Sequence, residues 1–91
     1  MERITAIAKG RVQRVGYRSF VADCAHATGV HGSVKNLPDG TVGIVGESSP
    51  AAIDNFLRLA HAKGDLMIRV EEIAVNKGPA TGEFHEFHVA W

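Results

Sequence analysis

The sequence predicts an α+β sandwich: two helices packed on one face of a mainly antiparallel sheet of four to five strands. Three observations lead there. Apolar residues switch along the chain between two-residue and helical spacing. A Leu37-Pro38-Asp39-Gly40 turn stands between two strand-like runs. Helix-boundary residues occur at Gly29, at Ser49-Pro50 and at Gly64.

Arg3 to Val12 mixes β-branched and polar residues and ends at Gly10-Arg11-Val12, as a strand running into a tight loop would. From Arg18 to Thr28 the spacing becomes helical. Phe20, Val21, Cys24, Ala25 and Thr28 share one face, with Ser19, Asp23 and His26 elsewhere. Gly29 follows where a helix C-terminus needs the left-handed conformation. Val30 to Leu37 and Thr41 to Glu47 read as strands joined into a hairpin, with Pro38 presetting φ and Gly40 tolerating a positive one. Ser49 is a natural N-cap and Pro50 suits the first helical position. Ile53, Phe56, Leu57 and Ala60 then form one stripe, and Gly64 closes the helix. Leu66 to Val75 is a fourth strand, Asn76 to Gly82 a loop, and Phe84 to Val89 a short terminal strand.

Strand, helix, strand, strand, helix, strand is the order of a ferredoxin-like fold, and residues 1–91 are expected to form a single domain. Ten Lys and Arg balance ten Asp and Glu, so bulk charge holds neither nucleic acid nor an anionic membrane. The one cysteine, Cys24, sits among Phe20, Val21 and Ala25 and reads as a small core residue. Met1-Glu2-Arg3-Ile4-Thr5 opens no apolar run of leader length, and no stretch is long enough to span a bilayer. The expectation is a cytoplasmic protein.

Chemistry is concentrated in Gly10 to Arg18. A loop entering a helix presents unpaired backbone N–H groups and the positive end of the helix dipole, and both favour an anion. Arg18 stands at that entrance with a planar fork of donors suited to phosphate oxygens. A right-handed crossover makes the first two strands parallel, so this loop and the strand end at Lys35-Asn36 meet at one edge of the sheet. Asn36 carries an amide that can orient a water without taking a proton. On this alone a solvated Arg and a turn-starting Asn describe the two residues equally well.

The run Gly10-Arg11-Val12-Gln13, continuing to Val15-Gly16-Tyr17-Arg18, resembles the acylphosphatase signature Gly-x-Val-Gln-Gly-Val-x-aromatic-Arg. Gly32-Ser33-Val34-Lys35-Asn36, with Leu37-Pro38-Asp39-Gly40-Thr41-Val42 and Gly46, is similar to the second signature of that family. Both occur in the right order and separation, and the resemblance runs to Phe87-His88-Val89. It implies hydrolysis of carboxyl–phosphate anhydrides without metal or cofactor. By that resemblance the backbone N–H groups from Gln13 through Arg14, Val15 and Gly16 to Tyr17, together with Arg18, hold the phosphoryl group. Asn36 positions the attacking water, and the substrate's own phosphate accepts its proton. The partners implied are a small acyl phosphate and inorganic phosphate, the latter as product and competitive inhibitor. Two positions depart from the pattern: Arg14 replaces the usual Gly, and Ser33 an often aromatic residue.

Other chemistries fit less well. Five histidines include His85 and His88, but residues three apart on a strand point to opposite faces and chelate poorly. Ser48 and Ser49 have no triad context and read as helix caps. An RNA-binding sheet stacks bases on strand aromatics beside basic residues, and no strand here combines the two. A non-catalytic module that binds acyl phosphate or carbamoyl phosphate is the competing function, since an acylphosphatase-like domain also forms part of a hydrogenase-maturation carbamoyltransferase.

Overall fold

A computed structural model describes residues 1–90. The elements are β1 (Glu2–Arg11), α1 (Tyr17–Thr28), β2 (His31–Asn36), β3 (Val42–Ser48), α2 (Pro50–Ala60), β4 (Arg69–Pro79) and β5 (Phe87–Val89). The sheet order is β4-β1-β3-β2-β5, antiparallel throughout except that β2 and β5 run parallel. β1 and β2 both run antiparallel to β3, which lies between them, so each βαβ crossover skips one strand.

Alternation along the strands selects the covered face. Ile4, Ala6 and Ala8 of β1, Val34 of β2, and Val42 and Ile44 of β3 are buried. Against them α1 sets Tyr17, Val21, Cys24 and Ala25, and α2 sets Ile53, Phe56 and Ala60. Full burial of each larger side chain in this layer contributes about 1.5–3 kcal/mol. Close approach requires Gly46, where a Cβ would stand 2.9 Å from Val30 Cγ1. The capping signals act as expected. Gly29 adopts φ 76° behind α1, and Ser49 Oγ accepts from Ala52 N at 3.3 Å ahead of α2.

Three elements differ from the sequence expectation by more than one residue. α2 stops at Ala60 rather than at Gly64. The hydroxyl of Tyr17 donates to the Ala60 carbonyl at 2.7 Å, and Ala62 turns left-handed at φ 51°. β4 covers Arg69–Pro79 rather than Leu66 to Val75. Asp65 Oδ1 accepts from the N–H groups of Met67 and Ile68, folding that stretch into a turn that leaves Leu66 exposed. At its other end β4 follows the long β1 ladder through Glu2↔Pro79, so Asn76 to Pro79 are strand and not loop. β5 begins at Phe87, and Phe84 lies instead under the Arg3 guanidinium, 5.4 Å from its ring centroid. His85 therefore precedes the terminal strand rather than lying within it.

Candidate active site

The loop between β1 and α1 is built from residues whose side chains have different destinations. Val12 is buried in the core, and Val15 packs partly against it. Arg14 adopts φ 65° and Gly16 φ 80°, both left-handed. For Gly16 that conformation costs little, whereas for Arg14 it costs about 1–2 kcal/mol. Gly16 is the N-cap of α1, so no side chain caps the helix, and no acidic residue lies in its first turn. The positive end of the helix is left for an anion.

This helix end faces the C-terminal end of β2. A recess of about 320 Å³ is lined by Val12, Arg14, Gly16, Tyr17, Arg18, Ser19, Asn36 and Val89. Two guanidinium-bearing residues line it and no carboxylate does among the described residues. The chain is neutral overall, and this spot is positive. Arg18 Nη1 donates to the Ala90 carbonyl at 2.7 Å, which orients the guanidinium. Asn36 Oδ1 is buried and has no hydrogen-bond partner among the described residues. Such an acceptor is costly unless water or a ligand meets it.

Of the residues singled out from the sequence, Arg14, Gly16, Tyr17, Arg18 and Asn36 line one recess, while Gln13 and Val15 do not. Gln13 turns its amide to the β2–β3 turn, donating from Nε2 to the carbonyls of Leu37 and Thr41, each at 2.8 Å. The Tyr17 phenol points into the core toward α2, and burial pushes its pKa well above the ordinary value. Ser19, Val89 and Ala90 belong to the site without having been singled out. Ser19 carried a signal in its first-turn position. Val89 carried none, because only the parallel pairing of β5 with β2 (Val34↔Val89) brings it there.

A larger depression, about 370 Å³, lies on the helix-free face around Ile7, Leu37 and Val45, and its only titratable residue is Lys35. Among the described residues no three His, Cys, Asp or Glu side chains gather as ligands for an ion. His88 Nδ1 instead lies 3.5 Å from Glu86 Oε1. No helix among them is long and apolar enough to cross a membrane.

Comparison with known proteins agrees with this geometry. The family model described as Acylphosphatase matches residues 4–89. An acylphosphatase of Thermus thermophilus is 43% identical over 90 residues, spanning 98% of this chain and 99% of its own. The crystal structure of acylphosphatase from Bacillus subtilis matches with a TM-score of 0.93 at 32% identity, with full coverage of both chains. The crystal structure of T. kodakarensis HypF matches with a TM-score of 0.85 at 31% identity, all of this chain against 12% of that one. The chain belongs to the acylphosphatase family.

Proposed function

We propose that residues 1–91 act as one acylphosphatase domain that hydrolyses an acyl phosphate to carboxylate and inorganic phosphate without metal or cofactor. The observation that carries the proposal is the recess at the N-terminal end of α1, which brings Arg14, Arg18 and Asn36 together with no carboxylate among its described lining residues.

The phosphoryl group binds at the N-terminal end of α1, held by backbone N–H groups of Gln13 to Tyr17 and by the Arg18 fork, with Arg14 at the lip. Asn36 holds a water through its side-chain amide for in-line attack on phosphorus. Phosphoryl transfer of this kind needs charge stabilisation and positioning more than covalent help. A phosphate oxygen of the substrate takes the water's proton. The carboxylate leaves readily, so no general acid is required.

A site of amides and arginines also binds free phosphate, so inorganic phosphate is expected to compete with substrate. The free, buried Cys24 is in keeping with a reducing cytoplasmic setting. Because HypF carries the same fold over 12% of its length, binding without hydrolysis is the second reading. The near-full mutual coverage with the Thermus thermophilus acylphosphatase favours hydrolysis. Phosphate release from benzoyl phosphate, measured with and without chelator, tests the proposal. Steady release indifferent to chelator supports it. Binding without release supports the module, and loss of activity restored by a divalent ion removes metal independence.

A further inference from the structure

The phosphate loop and the turn that follows Asn36 come from different parts of the chain, and the β ladder does not join them. The β1–β3 register ends at Ala8↔Val42, before the loop begins. Among the described residues no backbone hydrogen bond links residues 12–16 to residues 37–41. Among the described residues the polar ties between them are the two that leave the Gln13 side chain. Nε2 donates to Leu37 O at 2.8 Å and to Thr41 O at 2.8 Å, which uses both amide hydrogens. Two carbonyls facing one amide also fix its orientation, since only the NH₂ end can donate to both.

These carbonyls are the ones that close the turn. Leu37 N donates to Thr41 O at 2.9 Å, and Gly40 N donates to Leu37 O at 3.2 Å. Asn36 immediately precedes Leu37 and pairs across the hairpin with Val42, which immediately follows Thr41. The Gln13 amide therefore grips the hairpin one residue beyond the Asn36–Val42 pair on both strands. Its backbone lies in the loop proposed above to hold the phosphoryl group.

The geometry points to Gln13 as a positioning residue that sets the distance and angle between the phosphate cradle and the water on Asn36. This rests on the assignment of Asn36 made above. The side chain touches neither substrate nor water. It acts through Asn36 by holding two independently built halves of the site in register. In-line attack tolerates little error, and a displacement on the order of 1 Å costs as much as 10²-fold in rate.

The test is a cycle of four enzymes: parent, Gln13→Met, Asn36→Ala and the double variant. Methionine keeps the length and apolar volume and removes both donors. Gln13→Met is expected to lower kcat by about 10- to 100-fold. The Kd for inorganic phosphate should stay within about threefold, because Arg18 and the loop amides remain. In the Asn36→Ala background the same substitution should cost less than about threefold in kcat, since there is no longer a held water to misplace. Multiplying effects, parent-like kcat in Gln13→Met, or loss of phosphate affinity in step with kcat would each overturn the inference. Parent-like kcat in Asn36→Ala would show that the assignment of Asn36 itself fails, and the inference with it. Loss of kcat in Asn36→Ala alone would leave that assignment standing and remove only the role of Gln13. Gln13→Glu provides a second reading that survives poor folding of the methionine variant. Its carboxylate faces two carbonyls and donates nothing until protonated. Its kcat relative to parent should rise as pH falls from about 7 to about 5. A flat ratio overturns the inference.

Discussion

Arg18 donates through Nη1 to the carbonyl oxygen of Ala90 at 2.7 Å, so the arginine that opens α1 is steered by the backbone just past β5. The contact leaves the guanidinium at the recess, where the proposed mechanism has its charge meet phosphate in both ground and transition states. Arg18→Ala is expected to lower kcat/KM by at least about 10²–10³-fold. The fold should survive, since the hydrogen bond to Ala90 is worth only roughly 1 kcal/mol. Arg18→Lys should remain poor, because a point charge does not reproduce the fork. Kinetics paired with a thermal melt check this, and parent-like turnover in Arg18→Ala would remove the residue from the mechanism.

Asn36→Ala should reduce kcat, by about 10²-fold, more than it raises KM, because holding water matters mainly on the way to the transition state. The buried Oδ1 has no partner to lose among the described residues, so Tm should hold or rise slightly. A marked fall in Tm would instead identify Asn36 as an anchor of the turn.

Arg14 occupies φ 65°, the conformation a family glycine would take at no cost. Relief of about 1–2 kcal/mol of strain in Arg14→Gly is offset by up to about 1 kcal/mol of added unfolded-state freedom, so Tm should move little. Charge is the larger effect. KM should rise in Arg14→Gly with kcat largely kept, and the difference from parent should shrink at high salt. Much faster turnover in the variant would show that Arg14 obstructs the site.

Glu47 ties the segment after β4 to the sheet. Its carboxylate accepts from Thr81 N at 2.8 Å, Gly82 N at 3.0 Å, Thr81 Oγ1 at 2.9 Å and Arg3 Nη1 at 3.0 Å. The Thr81 amide above all, with the Arg3 guanidinium, the Thr81 hydroxyl and the Gly82 amide, pulls its pKa from 4.5 to about 2 against the cost of burial. A depressed carboxylate stabilises the fold fully above its unfolded pKa, and that contribution disappears as pH falls toward the folded one. The Tm advantage of parent over Glu47→Gln should therefore be full above about pH 4.5 and shrink toward pH 2. A constant difference across that range would show that the carboxylate charge is not what holds the segment.

Local signals carried the elements that local chemistry decides. Gly29, Ser49-Pro50 and the Pro38-Asp39-Gly40 turn act where expected, because caps and turns depend on nearest neighbours. Arg18 and Asn36 were legible as a pair because parallel strands put their C-terminal ends at one edge of the sheet. β4 was not legible in its true register. Leu66 and Met67 look like strand yet project from an Asp65 turn, and Asn76 to Pro79 are polar yet paired because β1 is ten residues long. The same limit hid Val89 and the destination of the Gln13 amide, both set by contacts between distant segments.

Hydrolysis of benzoyl phosphate in ¹⁸O-labelled water, with chelator present, tests the proposed mechanism most directly. If water held by Asn36 attacks phosphorus, the label enters inorganic phosphate, the benzoate stays unlabelled, and the rate matches that without chelator. Label in benzoate would mean attack at the acyl carbon and would contradict a site built around the phosphoryl group.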